Sequence, residues 1–88
     1  MTIYTVSYDL NKKGQNYNGL YEELKKTDHL HVLDSTWFVN TNESADVLSQ
    51  RLRSRVDEND YILVIKVTKP YQGWLKKASW EWINSRII

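Results

Sequence analysis

Leu30 to Thr41, LHVLDSTWFVNT, is the stretch whose reading decides the fold. It is rich in β-branched and aromatic residues, which favour extended chain. Leu33, Ser35, Trp37 and Val39 alternate along it and would share one face of a strand. Asp34 and Ser35 in its middle are turn formers. The run is therefore either one long strand or two short ones bent at Asp34 and Ser35, and the strand count of the sheet follows from that choice.

On the amino-terminal side, Tyr17, Leu20, Tyr21 and Leu24 fall at i, i+3, i+4 and i+7, with Glu22, Glu23, Lys25 and Lys26 on the remaining surface. This spacing predicts an amphipathic helix that ends near Thr27, with Asn16 or Asn18 able to cap its start. Asn11 to Asn16 has no apolar period and reads as a loop. Before it, Thr2 to Tyr8 reads as a strand with Tyr4, Val6 and Tyr8 on one face and Ile3, Thr5 and Ser7 on the other.

On the carboxyl-terminal side, Ser44 suits an N-cap and Asp46 a first helical turn, where negative charge complements the helix dipole. Ala45, Leu48, Leu52 and Val56 form an apolar stripe, with Arg51 and Arg55 one turn apart beside it and Arg53 pointing away. The acidic run Asp57-Glu58-Asn59-Asp60 reads as a solvated turn. Tyr61 to Thr68, YILVIKVT, is nearly all apolar, which predicts a central strand covered on both faces. Pro70 and Gly73 punctuate the chain, and an aromatic helix is predicted from about Trp74 to Ser85. Its stripe would be Leu75, Ala78 and Trp82, with Trp80 off it.

Strand, helix, strand region, helix, strand is the pattern of an α+β domain with both main helices on one face of an antiparallel sheet. With the middle region split, the order is βαββαβ, and the expected architecture is a ferredoxin-like sandwich with a short carboxyl-terminal aromatic helix. Residues 1–88 read as one domain with its core in 2–68 and a helical extension in 70–88.

Eighty-eight residues with 41% hydrophobic content suit one modest core, of a size that often gains stability by pairing with a copy of itself. Twelve basic against eleven acidic residues give a net charge of +1, so any polynucleotide binding must use a local patch. The absence of cysteine excludes disulfides and thiolate metal sites. No apolar run has the length of a signal peptide or membrane span, and the expectation is a cytoplasmic protein without membrane contact.

Asp9 is the leading candidate site residue. A carboxylate where a strand meets a polar loop is held by rigid backbone and faces solvent, which suits metal or substrate binding as well as simple turn formation. Lys12 and Lys13 beside it, with Arg51 and Arg55, are the candidates for phosphate contacts. His29 and His31 would share a strand face, and Trp74, Trp80 and Trp82 with Lys76 and Lys77 offer rings and cations for base stacking, although the helical stripe favours packing of the tryptophans on the domain or across a dimer. Gly14 lies in no nucleotide-binding motif.

The opening YTVSYDL, the helix after a short polar loop, DSTWFVNT, the arginine-bearing helix and YILVIKV together resemble the small CRISPR-associated ferredoxin-like family, whose dimer is a partner in spacer integration. The chain looks closer still to small bacterial and phage proteins labelled SinR-like, and more distantly resembles virulence-associated protein D toxins. The resemblance covers Thr2 to about Thr68. It implies a homodimer associated with DNA or RNA, a metal-dependent endonuclease in which Asp9 is the catalytic and metal-binding residue, and a second-strand motif matched by Ser35 and Trp37. One aspartate makes a poor Mg²⁺ or Mn²⁺ site, so the implied ion would be shared by Asp9 and its mate across a two-fold axis. The sequence departs from the family in Lys-Lys-Gly-Gln-Asn after Leu10 and Asn11, where an arginine-rich helix start is usual, and in its aromatic carboxyl-terminal helix, where a dimer-swapping strand is usual. A reading of another class is a noncatalytic interaction or scaffold module that binds another protein or its own copy.

Overall fold

In a computed structural model describing residues 1–11, 14 and 16–87, the chain is an α+β domain with a four-stranded antiparallel sheet and three helices. The elements are β1 (Thr2–Asp9), α1 (Asn18–Lys25), β2 (Asp28–Leu33), β3 (Thr36–Thr41), α2 (Ala45–Arg53), β4 (Tyr61–Lys66) and α3 (Lys77–Asn84). The middle region is split, with Asp34 and Ser35 turning the chain between β2 and β3. The strands lie in the order β2-β3-β1-β4. β1 is hydrogen-bonded on both sides, with Val6 opposite Trp37 of β3 and Val64 of β4.

The register slips between His31 and Leu33, so the β2–β3 ladder carries a bulge at Val32. Leu33 and Ser35 consequently do not share the Trp37–Val39 face as strict alternation predicted. His29 and His31 do, because they pair with Val39 and Trp37.

One sheet face carries Tyr4, Val6, Trp37 and Val39 and buries them against Leu20 and Leu24 of α1 and Leu48 and Leu52 of α2. Burying these side chains is worth roughly 1.5–3 kcal/mol each. The predicted helical periods decide which positions face inward. Ser44 caps α2 by accepting from the Val47 N–H at 3.2 Å, whereas α1 begins after Asn16, whose amide oxygen accepts from Asn18 N–H at 2.8 Å.

The opposite face is covered only in part. Ile3 and Phe38 pack against Ile83 of α3, with Leu30, Val32, Tyr71, Leu75, Trp80 and Trp82 around them. The buried positions of α3 are Ser79 and Ile83, so its inward stripe is offset from the predicted Leu75, Ala78 and Trp82. Trp80 stacks on Tyr71, and Trp74, outside the helix, is 99% exposed. Arg86 fastens the end of the chain to β2: its guanidinium donates to Asp28 at 2.6 and 3.1 Å and lies over the Trp82 ring.

β4 corrects one sequence expectation. Its apolar run predicted a central strand, but β4 is an edge strand, and Tyr61, Leu63 and Ile65 are 69%, 57% and 53% exposed. Its Ile62 and Val64 turn toward the helical layer and pack on the core there. Among the described residues no helix is long and apolar enough to cross a membrane.

Candidate functional site

Asp9 ends β1 opposite Tyr61 and is exposed. It borders a shallow cleft of about 270 Å³ whose other walls are Ser7, Tyr8, Tyr61, Ile62 and Leu63. Asp9 is the acidic residue of that lining, set at the rim of the uncovered apolar face of β4. Among the described residues no three histidine, aspartate or glutamate side chains cluster as a metal site would require.

Ser35 and Trp37 meet at Tyr8, the residue before Asp9. The Ser35 carbonyl accepts from Tyr8 N–H at 3.1 Å, and the indole N–H of the buried Trp37 donates to the Tyr8 hydroxyl at 3.1 Å. That hydroxyl donates in turn to the Asp34 carbonyl at 3.3 Å. Burial raises the Tyr8 phenol above its ordinary pKa, partly offset by the Trp37 hydrogen bond. The two motif residues thus fix the end of β1 through Tyr8, the residue before Asp9.

Asp60 braces the same end of the molecule. The acidic run read as a solvated turn, yet this carboxylate is buried: Oδ1 accepts from Asn11 N–H at 2.7 Å and from the Tyr17 hydroxyl at 2.8 Å, and Oδ2 from Asp57 N–H at 2.8 Å. The exit of β1, the start of α1 and the entry to β4 are tied to one side chain. A buried carboxylate is tolerable only with such donors. No local signal distinguishes Asp60 from its exposed neighbours Glu58 and Asn59, because its partners lie far away in sequence.

Arg51 and Arg55 belong to the helical layer, away from the cleft face that Asp9 borders. Arg51 donates to both Glu43 carboxylate oxygens at 2.8 and 2.9 Å, to the Glu23 carbonyl at 2.6 Å and to Glu23 Oε1 at 3.2 Å. Arg55 reaches Glu23 Oε2 at 3.2 Å, and Lys26 reaches it at 2.7 Å. Lys26 first, then Arg51, holds the buried Glu23 carboxyl down to about 2 against the opposing effect of burial. The pair thus locks α1 to α2. Lys12 and Lys13 lie outside the described residues.

A second group of side chains adjoins Tyr8 on the helical side of the sheet. Tyr21 of α1, Trp37 of β3 and His31 of β2 form a ladder of rings, with centroids 6.2 and 4.2 Å apart and interplanar angles of 15° and 12°. His29 leans on the same indole at 5.7 Å. His31 Nε2 lies 3.0 Å from the Asp34 carbonyl, which can only accept, so that nitrogen carries a proton. Tyr21, Lys25, His31 and Trp37 line a cavity of about 120 Å³. The sequence placed both histidines on one strand face; the indole between them and α1 came from the pairing of β2 with β3.

No protein-family model matches the chain, and no solved structure matches it significantly.

Proposed function

We propose that the chain is a ferredoxin-like, nucleic-acid-associated protein that works as a homodimer, with Asp9 at its centre as the ligand of a Mg- or Mn-dependent endonuclease. The βαββαβ sequence of elements and the strand order, read from the other edge as β4-β1-β3-β2, support the fold assignment.

The observation that carries the functional reading is the position of Asp9 at the rim of an uncovered apolar sheet face. Tyr61, Leu63 and Ile65 expose to water a surface suited to burial. Two-fold packing of that face excludes water around the Asp9 cleft and brings two carboxylates toward one axis. One Asp9 alone does not satisfy Mg²⁺, which prefers an octahedral oxygen shell; two carboxylates with phosphate oxygens from a bound strand do. An ion held there supplies Lewis-acid activation of water for phosphodiester hydrolysis. Arg51, tied into the Glu23–Glu43 network, serves this reading by holding the helical layer rigid, and Arg55, roughly half exposed, keeps donors available to phosphate.

The test is sedimentation of the purified chain, with cleavage of labelled single-stranded RNA, single-stranded DNA and duplex DNA in Mg²⁺ or Mn²⁺. A dimer whose cleavage is lost in Asp9→Asn, with dimerisation retained, is the expected result. Equal cleavage by the variant, or a monomer at all concentrations, sinks the assignment.

The noncatalytic reading draws on Trp74, fully exposed beside Val32, Leu33, Leu75 and Lys76, which with it border a cavity of about 280 Å³. Wild-type protein that cleaves nothing and binds a protein partner without salt sensitivity would favour it.

A further inference from the structure

We propose that the exposed face of His31 is a stacking platform for an unpaired nucleobase, with Lys25 holding the adjoining phosphate. This rests on the nucleic-acid reading above and narrows its substrate class to single strands, since bases within a duplex present no free face.

The ring group runs from the half-buried Tyr21 through the buried Trp37 to the exposed His31. Trp37, only 2% exposed, stacks with both Tyr21 and His31. His31 is exposed, so with one ring face on the indole the other meets solvent. Its Nε2 contact with the Asp34 carbonyl fixes the ring plane parallel to the indole. An incoming base therefore adds a further ring to a stack already held in place, and the platform ring itself needs no ordering.

The cavity size selects between engulfing a ligand and stacking it. Pockets that enclose small molecules run to roughly 300–1,000 Å³, and the space here is about 120 Å³. It accepts the edge of a ring or a phosphate but not a whole nucleotide. Lys25 closes one side of the slot from the last turn of α1 and enters no ion pair among the described residues. A ring platform beside a free cation is the arrangement that binds single strands without sequence preference.

The experiment uses the whole chain. The ring protons of His29 and His31 are followed by NMR while adenosine monophosphate or inorganic phosphate is added, and affinity for a short fluorescein-labelled oligouridylate is read by anisotropy. The expected result is that the nucleotide shifts the His31 ring protons upfield and phosphate alone does not. His31→Ala then weakens the oligonucleotide by about tenfold, His31→Phe restores most of it, and Lys25→Gln lowers the salt slope by about one. Oligonucleotide binding unaffected by His31→Ala overturns the platform and leaves the nucleic-acid reading standing. Equal shifts with phosphate alone overturn stacking. Nucleotide-specific shifts without binding of any polynucleotide support the platform and remove the broader function.

Discussion

The indole N–H of Trp37 donates to the Tyr8 hydroxyl at 3.1 Å, joining the start of β3 to the residue beside Asp9. Trp37 is buried, so the phenol oxygen satisfies a donor with little access to water. Tyr8→Phe leaves that N–H unpaired and should cost about 1–3 kcal/mol. Urea unfolding should show a lower midpoint at unchanged slope. An unaltered midpoint would mean that the bond contributes nothing and that β1 is held by its ladder alone.

Glu23 sets an acid dependence. Its folded-state pKa of about 2 lies below the ordinary 4.5, so the stability it confers is fully present above about pH 4.5 and lost as pH falls toward 2. The amount is up to about 3 kcal/mol, less where its exposed partner Lys26 is screened by solvent. Glu23→Gln should be less stable at neutral pH and flatter across that acid window. Asp28 and Glu43, also lowered by Arg86 and Arg51, keep some slope in the variant. Parallel stability curves for variant and wild type between pH 2 and 4.5 would refute the assignment.

Asp60 should matter more than its place in an acidic run suggests. Asp60→Ala removes the acceptor for Asn11 N–H, the Tyr17 hydroxyl and Asp57 N–H together, at a cost of about 3 kcal/mol. The Asn11 and Asp57 amides should lose hydrogen-exchange protection ahead of the sheet. Protection as in wild type at both amides would rule out the bracing role.

The elements whose signal is local were legible in the sequence. The period of two in Tyr4, Val6 and Tyr8 and the helical spacing of Leu20, Leu24, Leu48 and Leu52 each name a buried face, and the structure buries them on one side of the sheet. The Asp34-Ser35 bend could be read but not decided, because turn formers also occur on edge strands. β4 misled because a continuous apolar run looks alike in a strand covered from both sides and in an edge strand with an open apolar face. At the site, Asp9 stood out by its position at a strand end. The grip of Ser35 and Trp37 on Tyr8, the bracing by Asp60 and the consumption of Arg51 by Glu43 and Glu23 depend on partners distant in the chain. No spacing rule reports such pairs.

The open face of β4 gives the sharpest separation between fold and assembly. Leu63 is largely exposed and lines the Asp9 cleft, so Leu63→Lys should change monomer stability by no more than about 0.5 kcal/mol. In the proposed two-fold dimer the same change sets a charge against the partner's apolar face and its own copy, and should weaken association by at least about tenfold. Val47→Lys is the control: Val47 is similarly exposed but lies on α2, on the far side of the sheet. Sedimentation velocity across a concentration series should find Leu63→Lys monomeric where wild type and Val47→Lys are dimeric, with thermal unfolding nearly unchanged in all three. If Leu63→Lys dimerises as wild type does, the partner is not seated on β4, and Asp9 from two chains cannot meet there. If Val47→Lys alone dissociates, the helical layer is the interface and the shared carboxylate site falls with it.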